Sequence, residues 1–191
     1  MKQNILPALK LTLICILFFC GAYTFFIWLI AQASPGHGEG VNISLNGRVV
    51  GYALEGQKFD QDKYFWTRPS AAGYNAAGSS GSNKGPSNPD YLHDVQSRID
   101  SFLAHNPGID KVKIPSDLVT ASGSGLDPDI SPEAAFVQVK RIARVRKVEE
   151  AQIRSLVEQH VRGPLLGLFG NSRVNVLDLN IDLEKHYGSN R

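Results

Sequence analysis

The chain has 191 residues, enough for one domain with a hydrophobic core, and carries 20 Lys and Arg against 18 Asp and Glu. Two of the basic residues, Lys2 and Lys10, precede an apolar stretch near the N-terminus, so the rest of the chain is electrically neutral and gives no electrostatic reason to expect nucleic-acid binding. Both cysteines, Cys15 and Cys20, lie inside that stretch, which excludes a thiolate metal site or a cysteine nucleophile elsewhere.

Residues 11–31 are 21 uncharged, mostly apolar residues. A helix of this length rises about 31 Å, close to the thickness of one hydrocarbon core, so the run predicts a transmembrane helix rather than a buried helix of a soluble core. The alternative is a cleaved secretory signal, because Ala31-Gln32-Ala33 has the small-x-small form of a cleavage site. The length of the run, with Trp28 near its far end, favours a retained anchor.

Charge near this helix predicts its orientation. Lys2 and Lys10 precede the helix, and after it no Lys or Arg occurs until Arg48. The positive-inside rule therefore predicts a single-pass protein with a cytoplasmic N-terminus. The chain divides accordingly into an anchor, residues 1–33, and an extracytoplasmic domain, residues 34–191.

The first half of the domain is expected to contain a hairpin, a long loop and a helix. Asn46-Gly47 lies between β-branched residues and predicts a hairpin over residues 43–50. Residues 68–88 are rich in Gly, Ser, Asn and Ala and predict an irregular loop, which at this length tends to be functional or disordered. Asn88-Pro89 has the form of a helix cap followed by a proline in the first turn, and Asn106-Pro107 ends that helix.

The second half alternates short strands with helices. Short strands are predicted at residues 112–114 and 118–120, and Ser131-Pro132 opens a helix that continues through residue 143. A further helix is predicted over residues 149–161, and the alternation of apolar and polar residues in 173–183 predicts a half-buried strand. The expected class is therefore α+β, a small sheet with helices packed on it.

Two stretches resemble ligand-binding motifs but lack residues that those motifs require. Gly73 and Gly78 have the spacing of a phosphate-binding loop, but Ser79 stands where that motif requires Lys. Alternate carboxylates from Asp127 onward imitate a calcium loop, but Pro132 occupies the position that requires glycine, so helix capping explains this segment better. No catalytic residue and no metal ligand is predicted.

Two features of the sequence each allow two interpretations. The Gly-rich stretches 73–85 and 121–125 are either backbone nests for an anion or a ribose, or ordinary turns. Residues 140–147, KRIARVRK, carry five positive charges that form either a solvated helix face, the favoured interpretation, or a surface that docks on anionic headgroups or an acidic partner.

Short motifs follow the apolar helix in a characteristic order. They are Gly56-Gln57-x-Phe59, Tyr64-Phe65-x-x-Arg68-Pro69-Ser70, Tyr74-Asn75-x-Ala77, Ser79-x-Gly81-Ser82-Asn83, Ser87-Asn88-Pro89, Val119-Thr120-Ala121-Ser122-x-Ser124-Gly125-Leu126-Asp127 and Ile130-Ser131-Pro132-x-Ala134-Ala135. Together they resemble the C subunit of the Kdp potassium-transporting ATPase, the KdpC family, over essentially the whole chain.

The resemblance implies an accessory, noncatalytic subunit of a complex in the bacterial inner membrane. Its partners would be a channel-like A subunit, a P-type B subunit that hydrolyses ATP, and a small F subunit. The family is described as a catalytic chaperone that raises the ATP affinity of the B subunit through a transient ternary complex, so the resemblance implies ATP, held with the B subunit, and no cofactor of the chain's own. The phosphorylation motif Asp-Lys-Thr-Gly of P-type pumps does not occur in this sequence.

The resemblance also implies which residues contact nucleotide or a partner. Asp129 departs from the family, which often has His there, and receives no role. The candidates are Gln57, Arg68, Ser70, Asn75, Ser82, Asn83, Ser122, Ser124 and Asp127.

Topology and family description disagree about ATP, because the charge pattern places the domain on the side of the membrane that has none. The Lys and Arg residues that flank the helix place the domain outside the cytoplasm, and this position favours another hypothesis. In it, the domain caps the ion entrance of the A subunit and stabilises the assembly. The alternative from a different class is a stand-alone, membrane-anchored periplasmic binding module.

Overall fold

The computed structural model describes residues 2–188, with side chains from Asn4 onward. The chain forms two compact units, Met1–Asn42 and Ile43–Arg191.

The first unit is dominated by one helix that starts earlier than residue 11. It consists of α1 (Lys2–Cys15), a π-helical segment (Ile16–Tyr23) and α2 (Thr24–Gln32). By length and composition, the part Asn4–Gln32 is long and apolar enough to cross a membrane. The predicted helix over residues 11–31 is confirmed as the apolar part of this longer helix.

The predicted hairpin is present as β1 (Asn42–Leu45) and β2 (Arg48–Tyr52). Asn46 and Gly47 form its turn with φ angles of 52° and 76°. Two successive positive φ angles are the requirement of the turn type that matches the twist of paired strands, and Asn-Gly meets it at low steric cost.

The two predicted capping signals start helices where expected. Asn88 Oδ1 accepts a hydrogen bond from Tyr91 N (3.1 Å) at the start of α3 (Pro89–His105). Ser131 Oγ accepts one from Ala134 N (3.1 Å), so Ser131 caps the helix that follows it, as predicted. The helix predicted to run through residue 143 is interrupted after Phe136. The remaining helices are α4 (Pro132–Phe136), α5 (Val139–Arg146), α6 (Glu150–His160) and α7 (Val176–Tyr187).

A second sheet was not predicted from the sequence in this form. Its three short antiparallel strands have the order β3-β5-β4, and Val174 at the centre pairs with Ile130 on one side and Val161 on the other. The strands are β3 (Asp129–Ile130), β4 (Val161–Arg162) and β5 (Arg173–Asn175).

The strand predicted over residues 173–183 is wrong after Asn175. There the Asn175 side chain accepts a hydrogen bond from Asp178 N (3.0 Å) and starts α7, with Asp178 in its first turn. The alternation of apolar and polar residues led to the wrong prediction of a strand. Because α7 is buried on more than one side, its apolar residues occur at both helical and alternate spacings.

The short strands predicted at residues 112–114 and 118–120 are also wrong. Single 3₁₀ turns, Lys111–Lys113 and Ser116–Leu118, occupy these positions. The side chain of Asp110 caps the first turn by accepting a hydrogen bond from Val112 N (3.2 Å), and Val112 itself is exposed. A short run that contains β-branched residues does not make a strand without a neighbouring strand to pair with.

The hydrophobic core of the second unit forms around α6, which packs against α4, α5 and α7. Ile153 and Val157 of α6 are fully buried, and so is Phe65 from the irregular segment between β2 and α3. Phe65 N donates to Asn180 Oδ1 (2.8 Å), and Asn180 Nδ2 donates to Phe65 O (3.0 Å). These bonds fix the irregular segment to α7.

Asn175→Ala is expected to lower the free energy of unfolding of this domain by about 1–2 kcal/mol, because it removes the cap of α7. It also leaves the partly buried Ala53 carbonyl without the bond that Asn175 Nδ2 donates over 2.9 Å. Urea unfolding of the detergent-solubilised chain, followed by circular dichroism, measures the change. Asn171→Ala, in an exposed loop, is the matched control and should change stability by less than about 0.5 kcal/mol.

Candidate functional site

Two irregular segments, residues 66–83 and 121–127, meet on one side of the domain, and we call them the loop platform. Ser122 N donates to Pro69 O (3.0 Å), and Ser79 Oγ donates to Ser124 O (2.8 Å). Ser70 Oγ donates to Gly125 O (2.6 Å). Because these bonds join loops more than 40 residues apart in sequence, the long loop has a defined shape rather than an open one.

An ion pair joins the same two segments. Arg68 Nη1 lies 2.8 Å from Asp127 Oδ2, and both side chains are about one-third exposed or less. Asp127 Oδ1 accepts a hydrogen bond from Asp129 N (3.1 Å). Arg68 Nε is buried and has no hydrogen-bond partner among residues 2–188. Asp127 therefore uses one carboxylate oxygen to join the two loops and the other to hold the backbone that follows the platform.

Ser70 closes a tight turn at the base of the long loop. In addition to its bond to Gly125, its Oγ accepts hydrogen bonds from Ala72 N (3.2 Å) and Tyr74 N (3.0 Å). Tyr74 has a positive φ of 60°, and its hydroxyl donates to Arg68 O (2.8 Å). The hydroxyl of Ser70 is thus a structural group, with one donor and two acceptor interactions already made.

The second loop of the platform is closely packed against the first. Ser122 is buried, and its Oγ accepts a hydrogen bond from Gly125 N (2.8 Å). Gly125 has a φ of +71°, and a Cβ there would lie 2.7 Å from Ser80 O and 2.8 Å from Ala72 Cβ. Only glycine fits this position, because both the backbone angle and the space exclude a side chain.

The structure gathers five of the nine predicted residues: Arg68, Ser70, Ser122, Ser124 and Asp127. The side-chain oxygen of Ser124 accepts a hydrogen bond from Leu126 N (3.0 Å), so this hydroxyl is also used within the platform.

The other four predicted residues lie apart from this cluster. Asn75 is exposed, and its Oδ1 accepts a hydrogen bond from Ala77 N (3.1 Å) in a local turn. Ser82 and Asn83 are exposed at the outer edge of the long loop. Gln57 touches the platform only through its backbone carbonyl, which accepts a hydrogen bond from Thr67 Oγ1 (3.2 Å).

A cavity of about 440 Å³ lies between the platform and α3. Its volume falls within the roughly 300–1,000 Å³ of typical ligand pockets. Its α3 wall was not predicted from the sequence; there Arg98 and His105 project from the helix at the spacing of two turns. The aromatic wall of the cavity could have been suspected from the sequence, because aromatic residues cluster at positions 59–66. The aromatic side chains that line the cavity are Phe59, Trp66, Tyr74 and Phe102.

The basic side chains around this cavity already have hydrogen-bond or ion-pair partners. Lys58 Nζ lies 2.8 Å from Asp60, and the hydrogen bond from Lys58 lowers the pKa of the Asp60 carboxyl. His105 Nδ1 lies 2.7 Å from Asp62 Oδ1, and Arg98 Nη1 donates to Val119 O (3.0 Å). The cavity is therefore lined largely by aromatic side chains, and its basic groups are already engaged, so the surface suits an apolar or aromatic group.

Comparison with known proteins identifies the family. The sequence model of the family described as "KdpC: K+-transporting ATPase, c chain" matches residues 5–185, nearly the whole chain.

The chain belongs to the KdpC family.

Relatives of similar length share this assignment, and each is named a potassium-transporting ATPase KdpC subunit. The protein of Flavobacterium psychrophilum is 55% identical over 183 residues, which cover 96% of this chain and 98% of the relative. That of Bacteroides fragilis is 50% identical over 186 residues, covering 96% and 97%. That of Caldanaerobacter subterraneus is 43% identical over 184 residues, covering 96% and 95%. The resemblance read from the short motifs is thus confirmed.

For this member of the KdpC family, the described residues hold no group of three or more His, Cys, Asp or Glu side chains that could bind a metal ion. The platform instead presents backbone carbonyls, amides and small side chains.

Proposed function

We propose that the chain is an accessory, noncatalytic subunit of an ATP-driven potassium uptake complex of the bacterial inner membrane. Membership of the KdpC family and an N-terminal helix long enough to span a bilayer support this proposal. Residues 1–33 form the anchor, with the N-terminus in the cytoplasm, and residues 34–191 form an extracytoplasmic domain, as the charges of Lys2 and Lys10 favour. Its partners are the Kdp A, B and F subunits and the bilayer.

One observation supports a docking role more than any other: the polar side chains of the platform bind one another. Arg68, Ser70 and Asp127 hold the two loops in one shape, whereas Asn75, Ser82 and Asn83 stay exposed at the outer edge. A surface that is ordered before binding avoids the entropy cost of ordering loops at an interface. The outer edge docks on the A subunit, and the domain caps its ion entrance and stabilises the assembly.

The higher ATP affinity attributed to this family then arises by coupling between subunits. ATP belongs to the B subunit, on the other side of the membrane from the domain. A domain that favours one conformation of the A subunit changes ATP affinity by the free energy that links the potassium and ATP sites, without touching the nucleotide. None of the nine candidate residues needs to contact ATP in this scheme.

Sealed vesicles of known orientation test the topology. Trypsin is expected to cut after Lys84, in the exposed part of the long loop, only from the extracytoplasmic side. Vesicles opened with detergent are the control and should be cut in both orientations. Cleavage only from the cytoplasmic face would overturn the proposed topology and restore direct contact with ATP.

A stand-alone, membrane-anchored binding module is the second candidate, and the aromatic cavity is the observation that favours it. Isolation of the full chain from native membranes in mild detergent separates the two. An assembly with two large polytopic chains supports the subunit, whereas a lone monomer supports the binding module.

A further inference from the structure

A short apolar turn, residues 165–169, stands between β4 and β5, and we call it the apolar finger. Its sequence, Leu-Leu-Gly-Leu-Phe, is framed by Gly163-Pro164 on one side and Gly170 on the other. Four large apolar side chains within five residues are exposed, which is far more than the scattered apolar residues of an ordinary surface. The exposed fractions are 67% for Leu165, 82% for Leu166, 81% for Leu168 and 64% for Phe169.

The finger is a closed turn. Leu165 N donates to Phe169 O (2.8 Å) and Phe169 N donates to Leu165 O (3.0 Å), as in a pair of antiparallel strands. Gly167 N donates to Pro164 O (3.0 Å), and Leu166 takes a positive φ of 55°. A leucine in this region is uncommon, and here the backbone directs two leucines outward instead of folding them onto the domain.

The strands that flank the finger are anchored in the core, and their two arginines form ion pairs with aspartates. β5, which follows it, is the central strand of the sheet, and its Val174 is fully buried. Arg162 on β4 pairs with Asp178, and Arg173 on β5 pairs with Asp129 (3.1 Å). The arginines on both sides of the finger are therefore neutralised within the domain.

Patch size and charge together restrict what covers the finger. Four side chains form a patch of roughly 300–600 Å², the size of the largest apolar patch on a typical monomer. A stable association between freely diffusing proteins buries about 800 Å² on each partner, so the finger alone is too small to hold two free copies together. It suffices where the partner is already held nearby in the same membrane, since tethering raises the effective concentration.

The balanced charges also distinguish a protein pocket from a lipid surface. Loops and helices that enter an anionic bilayer combine apolar residues with free Lys and Arg, which bind the headgroups. The arginines at the base of the finger, Arg162 and Arg173, already bind aspartates. The surroundings of the finger thus match an uncharged protein surface better than a layer of anionic headgroups.

We propose that the apolar finger inserts into an uncharged, apolar pocket on the extracytoplasmic surface of the membrane-spanning subunit that this chain accompanies. This inference rests on the proposed function and adds to it a second contact, separate from the loop platform. The platform orients the domain, and the finger holds it in place.

Leu166→Ser combined with Leu168→Ser tests the finger in the complete complex. Both side chains are more than four-fifths exposed, so the thermal unfolding of the chain itself should not change. The amount of the large membrane subunits that co-purifies with the chain after dilution in detergent should fall at least tenfold. Leu54→Ser is the matched control, because Leu54 is 78% exposed elsewhere in the domain and should leave co-purification unchanged.

Three outcomes separate this inference from its alternatives. If the wild-type chain does not co-purify with large membrane subunits, the proposed function itself fails. If the wild type does and the double variant does so equally well, only the role of the finger is overturned. If the double variant loses the subunits, a second measurement decides between a protein pocket and the bilayer.

That measurement places a fluorophore on the finger. Leu168→Cys in a full chain carrying Cys15→Ser and Cys20→Ser provides a single labelling site. In nanodiscs containing nitroxide-labelled lipids, the label is expected to be shielded from quenching in the assembled complex. Strong quenching of the assembled complex by the lipid nitroxides would show that the finger enters the bilayer and would overturn the proposal.

Discussion

Gly125→Ala is expected to raise the potassium concentration at which the purified complex reaches half of its maximal ATPase activity by at least tenfold. The added Cβ would lie 2.7 Å from Ser80 O and 2.8 Å from Ala72 Cβ, so the two loops of the platform must separate. A side chain at a φ of +71° adds about 1–2 kcal/mol of backbone strain. The helices of the core are not touched, so the domain should stay folded and lose only the shape of the loop platform, the proposed docking surface. Potassium titration of ATPase activity is the measurement.

The chain provides a close control for this change. Gly123 lies in the same loop, and a Cβ there would meet nothing within 4 Å. Gly123→Ala should therefore leave the potassium response unchanged. If Gly125→Ala assembled normally and also gave an unchanged response, the platform would not be the docking surface.

Arg141→Met is expected to destabilise the domain by about 3 kcal/mol, because it removes donors from buried acceptors that remain in place. The Arg141 side chain is fully buried. Its guanidinium donates to the side-chain oxygens of Asn106 (3.0 Å) and Gln138 (2.7 Å), and to the backbone oxygens of Asp62 and Tyr64. Chemical unfolding with tryptophan fluorescence measures the loss, because the guanidinium also lies 4.6 Å from the centre of a Trp66 ring.

Two comparisons separate this role from a general effect of charge. Arg144→Met removes a cation from the exposed side of the same helix and should change stability by less than about 0.5 kcal/mol. Arg141→Lys keeps the charge but loses the planar fork, so most of the destabilisation should remain. Stability of Arg141→Met equal to wild type would mean that the lost hydrogen bonds are replaced by solvent.

The sign of the pH effect follows from burial. Desolvation lowers the pKa of Arg141 from its ordinary value to about 10, so the unfolded chain binds this proton more tightly than the folded one. The cost of burying the cation is therefore fully present below about pH 10 and is recovered only as the pH rises beyond that value toward the ordinary pKa of arginine. Between pH 5 and 8 the effect of Arg141→Met should not vary with pH through this group.

Local signals predicted helix starts and one turn well. Asn88 and Ser131 cap helices, and Asn46-Gly47 forms the hairpin turn, because each depends on interactions within three or four residues. The strand predicted over residues 173–183 failed for the opposite reason. Which sides of that segment are buried depends on α6 and the central sheet, and no local pattern contains that information.

The candidate site was predictable to a similar extent. The motifs contained the five residues that the structure gathers in the platform, but no local pattern indicated that Arg98 and His105 line the same cavity as the aromatic residues. The charge run at 140–147, interpreted as a solvated face, is only partly so. Arg141 is buried while Lys140 and Arg144 are exposed, because a helix in contact with the core turns every third or fourth residue inward.

The two hydrogen bonds between Phe65 and Asn180 determine when the loop platform can fold during translation. The residues they join are 115 positions apart, and α7 is the last helix of the described chain. During translation the segment that carries the platform leaves the ribosome long before its support exists, and such distant contacts close late in folding. The loop platform, the docking surface in the proposed function, therefore reaches its final shape only after α7 has left the ribosome.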